Sequence, residues 1–243
     1  MAIAQAASGF LIPALWPSLS TRDTSEAYTS PLTPAGWAFS IWLVIYAGCL
    51  ALAGYQALPS QQVRRAHRRS GWWLVCGFAA STAWVPIFGV PVVWLSQLLV
   101  VGLVVALVFA ARGFLLTGPA SSTAEIAFLR VPVMLYLGWA VVASAAGFAT
   151  TFRAWGMPAG ARWASEICVV LILSATITSL FVVGRMVAVG AFLLAALWGL
   201  LAIALQTTND NVRIAVVLAI VVLLCAFVGR MLRSTQRGVV LGG

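Results

Sequence analysis

The sequence predicts an all-α fold, a polytopic transmembrane helix bundle of about eight spans. Three observations predict it: a composition that cannot cover a water-facing surface, apolar runs of spanning length, and arginines gathered in the gaps between those runs. Of 243 residues, 63% are hydrophobic and 8% charged, and the mean hydropathy is +1.05. A soluble domain carries about 25% charged residues. A lipid-facing surface needs no polar cover. At membrane depth each backbone group must bond internally, which requires helices here because no alternating barrel pattern is present.

A span takes roughly 20 mainly apolar residues. Runs of that kind lie at 2–19, 36–57, 72–88, 91–111, 129–151, 164–183, 187–206 and 212–231. The first is short and carries Pro13 and Pro17. No arginine precedes it, so it lacks the positive start of a signal peptide and reads as a retained first helix. The segment 20–35 is rich in Ser, Thr and Pro and reads as a loop. Tight turns are expected at Gly89-Val90-Pro91 and near Gly184-Arg185.

All 14 basic residues are arginine, against 5 acidic ones, for a formal charge of +9. Basic balance can signal nucleic acid, but these arginines sit in short loops and fit the positive-inside rule. Arg64, Arg65, Arg68 and Arg69 occupy the gap 59–71. Placing that gap in the cytoplasm puts Arg112, Arg130, Arg185, Arg230, Arg233 and Arg237 there too. Arg22, Arg153, Arg162 and Arg213 remain outside. The expectation is a multi-pass protein of the inner (cytoplasmic) membrane with both termini cytoplasmic, surrounded by membrane lipid and with no nucleic-acid partner; a homo-oligomer is compatible with it.

Several chemistries are disfavoured. With no lysine there is no retinal Schiff base. Cys49, Cys76, Cys168 and Cys225 each stand alone in an apolar run, with no CxxC pair, and read as small buried hydrophobes. The single histidine, His67 in RRAHRR, reads as a solvated loop residue. No phosphate loop, HExxH or GxSxG occurs. The chain lacks a nucleophile–base pair or metal cluster, so the reading is a protein that is not an enzyme, with no cofactor and no metal. Glu166 is the one carboxylate inside an apolar run. It reads as an interfacial partner of Arg162 at i, i+4 spacing, with a proton or cation site as the alternative.

Eleven tryptophans remain to be explained. Trp72, Trp73, Trp155 and Trp163 flank loops and suit an interfacial belt. Trp42, Trp84, Trp139 and Trp198 lie deeper in their runs. Indole offers a flat apolar face and one N–H donor, so several facing inward make a slot for a flat ligand; ordinary helix packing is the alternative. Phe39, Trp42 and Tyr46 are spaced three and four apart and share a helix face, as do Tyr136 and Trp139. The shared cavity is expected to open toward segment 20–35, with Trp37 and Phe39 at its mouth. Ser174, Thr176, Thr178 and Ser179 either bond back to their own helix or line a polar path.

The stretch TPAGWAFSIWLVIYAGCLALAGYQALP, residues 33–59, resembles the TspO/MBR family, the tryptophan-rich sensory proteins related to the translocator protein. Pro34, Trp37, Phe39, Trp42 and Tyr46 carry the resemblance. RVPVMLYLGWAV, with Pro132, Tyr136 and Trp139, and STAWV at 81–85, with Trp84, follow in the family's order. Together they cover roughly residues 1–150. The chain departs from the family pattern in having Ser81 where an asparagine is expected and a shortened Trp-x-Pro-Pro loop. It also has more spans than the family's five. The resemblance implies a TspO-like five-helix membrane core at 1–151 and a three-helix extension packed as one bundle at 152–243.

It further implies a sensor or carrier binding a flat apolar ligand, a tetrapyrrole such as a porphyrin or a sterol-like molecule. The implied ligand-binding residues are Trp37, Phe39, Trp42, Tyr46, Trp84, Tyr136 and Trp139. A secondary transporter of a small solute is the alternative. It is supported by the even span count and by Pro86, Gly138 and Gly147 inside apolar runs.

Overall fold

The computed structural model describes residues 1–15, 21–88, 93–158 and 162–233. Among them the chain is helical, with no strand. The order is α1 (Ala2–Leu15), α2 (Thr21–Ala27), a 3-10 turn (Gly36–Ser40), α3 (Ile41–Ala57), α4 (Pro59–Gln62), α5 (Arg65–Phe88) and α6 (Val93–Thr117). It continues with α7 (Thr123–Glu125), a π turn (Ile126–Arg130), α8 (Val131–Ala154), α9 (Arg162–Arg185), α10 (Val189–Gln206) and α11 (Asp210–Arg233).

Seven of these helices are long and apolar enough to cross a membrane. At 1.5 Å per residue, the 14 residues of α1 reach only about 21 Å, short of a hydrocarbon core of about 30 Å. The eighth span is therefore a shorter apolar helix among the described residues; 16–19 lie outside them. The turn expected at 89–91 also lies outside them.

Two loop expectations give way to helix. The gap 59–71 is mostly α4 and the first turns of α5. Arginine is a good helix former, so the helix runs beyond its apolar stretch. Segment 20–35 contains α2. The expected solvated His67 is corrected too: it lies in the first turn of α5 and is buried, 4% exposed. His67, Leu74 and Phe78, at spacings of seven and four, share one buried face, so the histidine follows the face of its helix and not its basic neighbours.

α8 sits at the centre. Of its most apolar stretch, 67% is buried, against 22% for that of α11. It packs against α3, α6, α9 and α10. Small residues permit the closest crossing: at Gly138 an added methyl would overlap the Phe192 backbone, so α8 and α10 touch main chain to main chain. One core runs through these helices, with Ile45 and Leu52 of α3, Leu107 of α6, Leu137 of α8, Phe192 of α10 and Leu223 of α11.

The hydroxyls of α9 bond back to their own helix: Ser174 to the Val170 carbonyl, Thr176 to Ile172, Thr178 to Ser174 and Ser179 to Ala175, at 2.7–2.9 Å. Glu166 is exposed; the Arg162 side chain, and so the expected ion pair, lies outside the described residues.

Candidate functional site

The 3-10 turn and first two turns of α3 carry Phe39, Trp42 and Tyr46, and α8 brings Tyr136 and Trp139 opposite them. Trp42 is the hub. It stacks on Tyr46 (centroids 5.3 Å apart, planes at 28°) and on Trp84 of α5 (5.5 Å, 29°). It meets Tyr136 and Trp139 edge-on at 5.9 and 6.1 Å. Phe39 meets Trp139 edge-on at 6.3 Å. These are preferred aromatic geometries.

Beside this cluster lies a slot. Its empty volume is about 570 Å³ counting the open side, but its cavity volume is only about 50 Å³. The helices stand nearly closed on it. Phe39, Trp42, Trp84 and Trp139 line it, and Ser25 of α2 and Pro34 border it on the side of segment 20–35.

The other three sequence-expected residues stand elsewhere. Tyr46 and Tyr136 form the wall behind Trp42 and do not line the slot. Tyr136 is fully buried; its hydroxyl donates to Ser81 Oγ at 2.6 Å and accepts from Gln5 Nε2 at 2.9 Å. Ser81, where the family pattern expects asparagine, thus keeps a buried polar contact. Tyr46 packs on Phe10 of α1, with centroids 5.4 Å apart. Trp37 is 44% exposed and sits edge-on against Trp198 at 4.7 Å.

Sequence reasoning missed Gln97, Gly147, Gly199 and Ile203, which also line the slot. Gln97 donates from Nε2 to the Ser144 carbonyl at 3.1 Å and to Ser144 Oγ at 3.2 Å, while its Oε1 fills the space a side chain would need at Gly147. A lone glutamine inside an apolar run was the available signal. Gly199 and Ile203 come from α10. That helix is tied to the opening turn by Trp198 Nε1 donating to the Ala38 carbonyl at 3.0 Å and by the Ala35 N–H donating to the Ala202 carbonyl at 3.3 Å.

One donor at the slot is unspent. Trp139 Nε1 is buried and has no hydrogen-bond partner among the described residues. An unmet buried donor costs on the order of 1–3 kcal/mol. Chemically the site offers flat apolar faces, one free N–H and an amide. No group of three His, Cys, Asp or Glu side chains that could hold a metal occurs among the described residues.

No curated protein and no solved structure matches the chain. A family model does, and it runs through the three C-terminal helices as well as the stretch 1–150 that carries the resemblance. Matched over residues 3–229 by the model described as TSPO-like protein, this membrane-spanning chain belongs to the TSPO-like family.

Proposed function

We propose that the protein is a membrane ligand-binding protein, a sensor or carrier, that takes a flat apolar ligand such as a tetrapyrrole or sterol-like molecule into the aromatic slot. The observation that carries this reading is the unpartnered Trp139 Nε1 set among Phe39, Trp42 and Trp84. A ring sliding between those faces would gain stacking, and an acceptor on its edge would satisfy the indole N–H. The cavity volume of about 50 Å³ means that the ligand must part the helices as it enters. Binding, not catalysis, is the role these groups support.

The experiment is tryptophan-fluorescence quenching by a porphyrin in nanodiscs, comparing wild type with Trp42→Ala and Trp139→Ala. Losing a stacked ring should weaken binding by about 1–3 kcal/mol. Unchanged affinity in both folded variants would mean that the aromatic cluster is packing alone.

In the same reading both termini face the cytoplasm, supported by ten arginines on that side against four. Reporter fusions at Leu58 and at the C-terminus should both read cytoplasmic. An external signal from either overturns the orientation.

A further inference from the structure

A second cavity lies at the opposite end of α3 from the slot, in the groove between α1, α3 and α5. Its volume is about 660 Å³. Leu52 and Gln56 of α3 line one side, and His67, Arg68, Leu74 and Phe78 of α5 the other. The groove has two chemistries arranged along its length. From His67 to Phe78, α5 rises about 16 Å, passing from Arg68 and an imidazole to wholly apolar wall.

His67 is the telling residue. It is 4% exposed, and neither ring nitrogen has a hydrogen-bond partner among the described residues. Its one ring neighbour is Tyr55, with centroids 5.5 Å apart. A buried imidazole always carries at least one N–H, and leaving both nitrogens unmet is costly. Around it stand Arg64, Arg65, Arg68 and Arg69, all exposed. The sequence holds no carboxylate between Glu26 and Glu125, and Glu125, the one carboxylate whose charge reaches His67, is paired with Arg130 at 2.7 Å. This end of the groove therefore carries uncompensated positive charge above a buried donor. Trp72 and Val75, on the groove's rim, are exposed as lipid-facing residues would be.

We propose that this groove binds an anionic phospholipid of the surrounding membrane. The phosphate sits between Arg68 and the His67 N–H, and an acyl chain lies along Leu52, Leu74 and Phe78. Basic pockets between membrane helices bind anionic headgroups in this way. The apolar wall, as long as a good part of an acyl chain, favours a lipid over a soluble phosphate.

The test is native mass spectrometry of the full-length protein released from nanodiscs holding equal amounts of phosphatidylglycerol and phosphatidylcholine. Wild type should retain phosphatidylglycerol preferentially. The double variant His67→Phe with Arg68→Gln should lose about five-fold or more of that preference, the scale of one interfacial charge. Gly71→Leu serves as an independent plug: a Cβ there meets only Gln56 Nε2, at 3.5 Å, so the larger side chain enters the groove without displacing backbone. It should lower retention with the charges untouched, and it decides the matter if the double variant fails to fold. Arg112→Gln, a basic change outside the groove, should leave the preference intact. The proposal is overturned if Gly71→Leu retains phosphatidylglycerol like wild type, if Arg112→Gln causes the same loss as the double variant, or if soluble glycerol phosphate displaces the lipid.

Discussion

The two regions of α8 bury polar groups in opposite ways. Where the chain enters α8, Arg130 is fully buried, and its Nε and Nη2 both bond to Glu125 Oε1, at 2.9 and 2.7 Å. Nη2 also donates to the Gly118 carbonyl, Ser121 donates twice to the other carboxylate oxygen, and the guanidinium lies over the Phe114 ring at 5.9 Å. Two and a half turns on, Trp139 Nε1 is buried with no partner among the described residues. The Arg130 guanidinium thus makes three bonds within the chain and leaves only Nη1 without a partner among the described residues, whereas the single indole donor has none. The Arg130 end is tied to Glu125, Ser121 and Gly118, and the Trp139 end carries the donor that the proposed ligand would meet.

The largest effect is expected at the Arg130 end of α8. Glu125→Ala leaves a buried guanidinium without its counter-charge and should cost about 3–5 kcal/mol in denaturant unfolding from detergent micelles. Glu125→Ala with Arg130→Met should recover most of that loss; a double variant as unstable as the single one would show that the pair is not the cause. Next in size is Gly138→Ala. Its methyl must push α10 away through the Phe192 backbone, with an expected cost of about 1–3 kcal/mol. If its unfolding midpoint matches wild type, the close crossing does not hold in solution.

At the binding end, Trp139→Phe keeps a flat ring and deletes the unspent N–H. The smaller ring leaves a void at this buried position while removing the unmet donor, so stability should change by no more than about 2 kcal/mol, and porphyrin binding should weaken by about 1 kcal/mol. Equal affinity for the two proteins would return Trp139 to the packing role. The smallest effect is expected from replacing Ser174, Thr176, Thr178 and Ser179 together by alanine. Their hydroxyls are satisfied by their own helix, so porphyrin affinity should hold within about two-fold. A large loss would place the site in the other half of the bundle.

How much of this was legible depended on whether the signal was local. Hydropathy marked every long helix, because lipid exposure acts on each run separately. Helix spacing placed Phe39 and Trp42 on one face and Tyr136 and Trp139 on another, and the structure brings Trp42, Tyr136 and Trp139 together. It could not say which ring of a pair faces the open side: Trp42 borders the slot while Tyr46, one turn on, backs against α1. The contribution of α10 was illegible for the same reason. Gly199 matters because Val142 Cγ1 would stand 2.9 Å from any Cβ added to it, a fact about a partner 57 residues earlier in the chain. His67 was misread because its basic neighbours suggested solvent, whereas its burial follows from the face continued at Leu74 and Phe78.

The bond from Trp198 Nε1 to the Ala38 carbonyl spans 160 residues. Ribosomes add about 5–20 residues per second, so the turn that opens α3 waits roughly 8–32 s between its own emergence and that of its partner. Late in that interval, once α8 has emerged, the nascent chain holds Trp42, Trp84 and Trp139 with the wall supplied by Gly199 and Ile203 still missing. A chain arrested after α8 would therefore lack the α10 side of its aromatic slot, which is walled on that flank only once Gly199 and Ile203 have been delivered.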